Sequence, residues 1–225
     1  MGGIGETCSD GLVMESGKAA YGADISAPGM LHGRILRSPH AHARIVSIDV
    51  SEAEKLPGVK AVVTGADLAQ PEDDAFSDVA INCLARDKAL YDGHAGAAVV
   101  ATSKSIAKQA IRLIKVDYEV LPHVTDVDEA MKPDAPVVQE GRALETVPAG
   151  MSQNVTTHCQ FGHGDLEAGL AKADKIIERS FKTAATHQGY IEPQACMASL
   201  GSDGRGEVWC CTQGHYMVRN TCAEI

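Results

Sequence analysis

The chain has 225 residues, 44% hydrophobic and 22% charged, which is ordinary for a globular protein long enough to bury a core without staples. Lys and Arg number 20 against 30 Asp and Glu, a net charge of −10. Nucleic acid and anionic membrane surfaces are therefore poor partners, because both need clustered cations. No apolar run reaches the ~20 residues of a membrane span. The opening residues lack the basic-then-apolar pattern of a secretory leader, so the cytoplasm is the expected compartment.

The first 20 residues are rich in Gly and Ser and read as an arm. His32–Arg37 and Ala43–Ile48 are β-prone runs broken at Ser38-Pro39, where proline removes a ladder donor. Ser51 and Glu54 have capping-box spacing, and Pro57-Gly58 stops the short helix that they would open. A strand is expected over Val59–Val63, then a short turn or helix around Gly65–Ala69. Residues 70–90, with Glu72, Asp73, Asp74 and Asp78, read as an exposed acidic loop. The small and β-branched run Gly96–Ala101 predicts a strand buried on both faces. Ser103 can cap a helix in which Ile106, Ala110 and Ile114 share one face, and Lys115–Val120 reads as a strand. Strand, helix, strand in this order predicts an α+β unit with a helix lying on a sheet.

Six prolines and glycines between 121 and 152 mark an irregular connection and a candidate boundary. Beyond it, Asn154–Gln160 is β-prone, Gly164–Ala171 reads as a short helix and Lys175–Thr183 as a strand. Ala195–Leu200 and Glu207–Cys211 form an expected hairpin over a Gly-rich turn. A helix follows from Gly214, and its apolar residues Tyr216 and Met217 are expected to lie exposed.

The seven cysteines, Cys8, Cys83, Cys159, Cys196, Cys210, Cys211 and Cys222, include no Cys-x-x-Cys, so zinc-ribbon and iron–sulfur spacings are absent. Reduced, mostly buried thiols are expected, with Cys210 and Cys211 facing opposite ways on a strand. His40 and His42 have the spacing of two ligands on one strand face, but no third ligand is near in sequence, so a turn-capping or packed pair is the favoured reading and metal binding the alternative. His187-Gln188-Gly189-Tyr190-Ile191-Glu192-Pro193 is either a polar network with a partner or a corner in which Glu192 accepts backbone amides. Thr212-Gln213-Gly214-His215 places a carboxamide at a strand end just before a helix start. There a side-chain donor and free helix amides suit an oxyanion or a metal-oxo ligand.

Six of these segments, in order, resemble one family. Gly17-Lys18-Ala19-x-Tyr21-x-Ala23-Asp24, Leu36-Arg37-Ser38-Pro39-His40-Ala41-His42-Ala43-Arg44-Ile45, Leu56-Pro57-Gly58-Val59, Tyr118-Glu119-x-Leu121-Pro122, the His187–Pro193 segment and Thr212-Gln213-Gly214-His215 are similar to the molybdopterin-binding large subunit of the molybdenum hydroxylases, the xanthine dehydrogenase and aldehyde oxidase family. The resemblance implies an α/β-hammerhead domain over 17–124, a linker over 125–152 and the beginning of a mixed α/β molybdopterin-binding domain over 153–225. It implies a molybdenum–molybdopterin cofactor, with Gln213 beside a metal oxo group and Gly214 opening the adjacent helix. No catalytic residue and no metal ligand is carried over; the family's catalytic Glu belongs to a later position than Glu192. The opening arm, with Cys8 and Ser9, lacks the family's usual basic residue.

By the same resemblance, the remaining cofactor contacts lie on further molybdopterin-binding polypeptide. Iron–sulfur clusters and FAD lie on partner subunits. The implied reaction oxidises an aldehyde or an N-heteroaromatic substrate with water-derived oxygen, and the chain alone is expected to be inactive. The alternative is a non-catalytic assembly or scaffold module, or a truncated remnant.

Overall fold

The computed structural model describes Val13 and residues 16–68, 74–140 and 147–225. The arm around Cys8 and Ser9, and Glu72 and Asp73 of the acidic segment, lie outside the described residues. By contacts the chain divides into two compact units, one of Leu31–Lys182 with Ala223–Ile225, the other of Met1–Met30 with Thr183–Cys222.

The first unit is built on two three-stranded antiparallel sheets. Its elements in order are β1 (His32–Arg37), β2 (Ala43–Asp49), helix α1 (Ser51–Glu54), β3 (Val59–Thr64), helix α2 (Asp74–Cys83), β4 (Lys88–Ala89), β5 (Ala95–Ala101), helix α3 (Lys104–Ile111), β6 (Lys115–Val120), helix α4 (Val127–Ala130) and helix α5 (Leu166–Ala171). One sheet has the order β1-β5-β3, the other β4-β2-β6. The α+β class read from strand–helix–strand order is the class observed.

The core lies between β5 and α3. Ala97, Val99 and Ala101 point to one face of β5 and are buried, and Ala107 and Ala110 meet them from α3. Small side chains on both surfaces let the helix lie close to the sheet, and Leu36, Ile48, Val62, Ile111 and Val116 close the cluster around Ala53 and Ile114. The opposite face of β5, Ala98 and Val100, is only half-buried, so the strand is not buried on both faces as its composition suggests. Ser103 caps α3 as expected, its hydroxyl accepting from the Ile106 amide.

Four local readings change. Ser51 is inside α1, not its cap; the Asp49 carboxylate accepts from the Ser51 amide and replaces the capping box. The acidic stretch is not all loop, because 74–83 is the helix α2, followed by buried Leu84 and Ala85. Val79 and Ala80 with Leu84 carry the helical period that the neighbouring acids obscure. Lys175–Thr183 forms no strand, and Ile176 and Ile177 stand exposed, since no described strand is placed to pair with it.

Asn154–Gln160 forms no strand either. Asn154 instead ties the irregular connection together. Its amide donates to the Ala130 and Pro136 carbonyls (3.2 and 2.9 Å), and its oxygen accepts from the Val138 amide (3.1 Å). Buried Ser152 donates to the same Ala130 carbonyl at 2.7 Å.

Two glycines are fixed by space. Gly58 has φ +95°, and a Cβ there would lie 2.7 Å from Ile106 Cδ1 and 2.9 Å from Thr102 Oγ1. A Cβ on Gly65 would fall 2.6 Å from the Ala85 carbonyl oxygen. Arg86 straps the same turn, donating to the Gly65 and Leu68 carbonyls at 3.1 and 2.6 Å.

The second unit contains a two-stranded hairpin, β7 (Cys196–Leu200) and β8 (Gly206–Cys210), and helix α6 (His215–Glu224), whose last residues fall in the first unit's set. The turn Gly22–Asp24 packs against the hairpin's start, with the Ala195 carbonyl 3.2 Å from where a Gly22 Cβ would be. None of this unit's described residues is buried. Cys196 is exposed and Cys210 and Cys211 half-buried, while Cys83, Cys159 and Cys222 are exposed, so the expectation of mostly buried thiols fails. The aromatic and branched neighbours that would cover them are not packed there.

Candidate functional site

The His-rich motif of β1–β2 and the Tyr118–Pro122 motif meet in space. Ala43 pairs with Val120 across β2–β6, and this register brings the flanking residues together. The His42 ring is buried and its Nδ1–H donates to the Pro122 carbonyl at 2.7 Å, while the Leu121 amide returns a bond to the His42 carbonyl. The His40 ring stands edge-on to Tyr118 at 5.1 Å. Arg44 pairs with Glu119 at 2.9 Å. Burial pushes the Tyr118 hydroxyl above its usual range, with Ser38 partly offsetting it. His40 and His42 thus serve packing and strand closure, with no group of three or more His, Cys, Asp or Glu in metal-holding arrangement among the described residues.

His94, which the sequence leaves as an isolated histidine, is the largest wholly buried polar side chain in the first unit. Nδ1 accepts from the Leu90 amide at 3.1 Å, Nε2 donates to the Ile81 carbonyl at 3.0 Å, and Tyr91 stacks on the ring at 4.4 Å. Burial holds its pKa below the ordinary 6.5. Only the fold shows this, because the Ile81 partner comes from α2 while Leu90 and Tyr91 come from the turn after β4.

The His187–Pro193 segment lies on the surface without regular structure. The His187 ring accepts from the Gly189 amide at 3.0 Å and lies 4.9 Å from the Tyr190 ring, whose hydroxyl accepts from Gln194 at 3.0 Å. Glu192 takes no backbone amide from any described residue, so the corner is held by the histidine and tyrosine, not by the carboxylate.

Gln213 follows β8 and precedes α6. Thr212 Oγ1 accepts from the Gly214 amide at 3.0 Å, turning the chain, and the Gly214 carbonyl accepts from Val218 as the first bond of the helix. The Gln213 side chain is exposed, and its carboxamide has no partner among the described residues. The first-turn amides of α6 have no intrahelical acceptor. A Cβ on Gly214 would stand 3.4 Å from Met217 Cε, in ordinary contact with its own helix. Neutral, unpaired N–H donors grouped at a helix start, with no carboxylate bonded among them, fit an oxygen ligand carrying negative charge. Beyond them, Tyr216 and Met217 are 65% and 70% exposed, as the sequence predicts. In the first unit, a groove at β1 and α3 is lined by Arg34, Ile35, Lys108, Ile111 and Arg112, and its three cations pair with no acid among the described residues.

Residues 16–122 match the family model for the aldehyde oxidase and xanthine dehydrogenase a/b hammerhead domain, and residues 148–225 match that for the molybdopterin cofactor-binding domain. The chain belongs to the aldehyde oxidase and xanthine dehydrogenase family. It is similar to the carbon monoxide dehydrogenase large chain of Afipia carboxidovorans, at 36% identity over 93% of this chain and 27% of that one. It is 33% identical to a probable xanthine dehydrogenase subunit of Bacillus subtilis, over 96% of this chain and 28% of the relative. A solved Cu,Mo-CO dehydrogenase aligns with a TM-score of 0.78 and 32% identity, over 98% of this chain and 29% of that one. The chain spans little more than a quarter of the length of these relatives. Within the family match, the His40/His42 and Tyr118–Pro122 motifs belong to the hammerhead region, where they close the β2–β6 pair. Gln213 and Gly214 belong to the cofactor-binding region. No described helix is long and apolar enough to cross a membrane.

Proposed function

We propose that this chain forms part of the large subunit of a molybdenum-cofactor hydroxylase and lends one wall to its cofactor site. Residues 17–124 are the hammerhead domain, 125–152 a linker and 153–225 the opening part of the molybdopterin-binding domain. The carrying observation is the unpartnered Gln213 carboxamide beside the free first-turn amides of α6. When bound, the molybdenum–molybdopterin group supplies transfer of a water-derived oxygen to substrate and takes up the two electrons released. Gln213 would donate a neutral hydrogen bond to an oxygen of that group, a role that needs no change of protonation. Gly214 keeps a side chain out of the approach.

The substrate is an aldehyde or an N-heteroaromatic compound, electrons leave through iron–sulfur and FAD subunits, and the assembly works in the cytoplasm. The other cofactor contacts come from further molybdopterin-binding polypeptide, so the chain alone retains no molybdenum and turns nothing over. The test is co-expression of the full chain with that polypeptide and the partner subunits, followed by molybdenum analysis. Wild-type complex should carry metal, and Gln213→Ala should lower hydroxylation by roughly 100-fold, the scale seen for losing one oxyanion donor. Unchanged turnover in Gln213→Ala, or molybdenum bound by the chain alone, would overturn the reading.

A second reading, an assembly module without catalysis, is favoured by one observation: the three cations of the Arg34–Arg112 groove on an acidic chain, which pair with no acid among the described residues. It predicts that Arg34→Glu with Arg112→Glu abolishes complex formation while Gln213→Ala leaves both metal content and turnover of the complex untouched.

A further inference from the structure

The β7–β8 hairpin sets Cys196 directly opposite Cys210. The kind of pair follows from the turn. The Gly201 amide donates to the Arg205 carbonyl at 2.8 Å, and the Gly204 amide, at φ +79°, donates to the Gly201 carbonyl at 3.1 Å. This is a type I turn closed by a glycine bulge, and it makes Gly201/Arg205 a hydrogen-bonded pair. Such pairs alternate with non-hydrogen-bonded ones along an antiparallel ladder. Leu200/Gly206 is therefore non-bonded, Ser199/Glu207 bonded, Ala198/Val208 non-bonded, Met197/Trp209 bonded and Cys196/Cys210 non-bonded.

Non-hydrogen-bonded partners bring their Cα atoms to about 4.5 Å with side chains on the same face. That lies inside the roughly 4.4–6.8 Å range that a disulfide spans. Cys211, next in the chain, points to the other face and does not compete in register. Cys196 is exposed, so an attacking reagent reaches it, and Cys210 is half-buried.

We propose that Cys196 and Cys210 are a cross-strand thiol pair that closes into a reversible disulfide with a low-molecular-weight disulfide such as oxidised glutathione. The Cys196 thiolate attacks one glutathione sulfur, breaks the glutathione S–S bond and releases one glutathione thiolate. The Cys210 thiolate then attacks the Cys196 sulfur, releases the second glutathione and completes the Cys196–Cys210 bond. Two protein thiols are oxidised, one glutathione disulfide is reduced to two thiols, and the two protein protons pass to these. The bond clamps the open end of the hairpin, three residues ahead of Gln213. The pairing stands on strand register alone and holds whether or not Gln213 meets a cofactor.

The full reduced chain is incubated with oxidised glutathione, quenched with acid, alkylated and cut with trypsin. Cleavage after Lys182, Arg205 and Arg219 places Cys196 alone in peptide 183–205 and Cys210 with Cys211 in peptide 206–219. The expected product is the two peptides joined, with Cys211 alkylated. Its yield should be at least roughly tenfold higher than from the same chain in urea, because the register holds the second thiol in reach. Cys210→Ser should leave Cys196 as a stable glutathione adduct, and Cys211→Ser should not change the cross-link. Separate adducts on Cys196 and Cys210, a bond within peptide 206–219, or an equal yield in urea would overturn the pairing.

Discussion

The two compact units hold their shape by different means. In Leu31–Lys182, β5 is sandwiched in register between β1 and β3 and roofed by α3, and every buried hydrophobic residue of the described chain lies there, between Ala43 and Ile114. In the unit containing Thr183–Cys222, a five-pair hairpin and a helix stand on backbone hydrogen bonds with no buried side chain, while Leu200, Ile191 and Met217 are each at least 70% exposed. A hairpin of two strands is marginal in water unless an apolar face is covered. Local sequence signals are enough to shape the second unit's hairpin and helix, whereas the first unit is held by side chains that meet across its sheets. The candidate cofactor residues sit in this second kind of structure.

Substitutions in the first unit should therefore be costly, and the largest is Gly58→Ala. The positive φ disfavours any side chain, and the new methyl would overlap Ile106 and Thr102. Strain of this kind costs about 1–3 kcal/mol, before the overlap is counted. Urea unfolding should show a midpoint well below wild type; an unchanged midpoint would mean that β3 and α3 are not packed as described. Asn154→Ala comes next. It strands the Pro136 carbonyl and the Val138 amide and leaves the Ala130 carbonyl to Ser152 alone, for a loss of about 1–2 kcal/mol. If the connection were only a tether, the variant would unfold like wild type.

His94 gives the comparison a pH dimension. The neutral ring is the form that the fold accommodates, so its folded pKa is depressed by burial while the unfolded chain keeps the ordinary 6.5. Between these values the unfolded state binds more protons, and stability rises with pH. The contribution is whole above 6.5 and drains as pH falls through the depressed value. Asp49, held low by Ser51, Asp67, held low by Thr64, and Asp126, held low by the Glu129 amide, act in a separate window beneath their ordinary 3.8. Unfolding midpoints should fall between about pH 7 and 5 for wild type and fall less in His94→Gln. Equal slopes would show that the ring titrates freely.

Much of this architecture is written locally. Proline and glycine punctuation marks the ends of β1, α1 and β3; Ser103 announces α3; the Gly201–Gly206 run announces the hairpin. What escaped is partly a choice between local acceptors: Asp49, two residues before Ser51, takes the place that the capping-box spacing gave to Ser51. The rest is longer in range, as nothing near His94 names the Ile81 carbonyl as its partner. Lys175–Thr183 has strand composition but no strand to pair with among the described residues, and composition cannot supply one. The placement of Gln213 between a strand end and a helix start was legible because both are local, and the histidine motif, read as a packed pair more readily than as two ligands, closes a sheet with Pro122 and Tyr118.

The smallest effect on stability is expected where the sequence is most apolar for its exposure. Tyr216 and Met217 occupy the first turns of α6, and the Tyr216 ring lies 4.3 Å from the His215 ring and 5.3 Å from the Arg219 guanidinium, both on the same helix. Replacing both residues by Ser removes little buried area, so the unfolding free energy of the chain should stay within about 0.5 kcal/mol of wild type. The same change should reduce self-association at high concentration, because exposed apolar patches are what drive it. Denaturation and light scattering on one pair of samples decide between two pictures. Unchanged stability with reduced association marks α6 as a surface awaiting cover. A loss of about 2 kcal/mol or more, the scale of an emptied core site, would mean that α6 already belongs to a core and that the contrast between the two units is false.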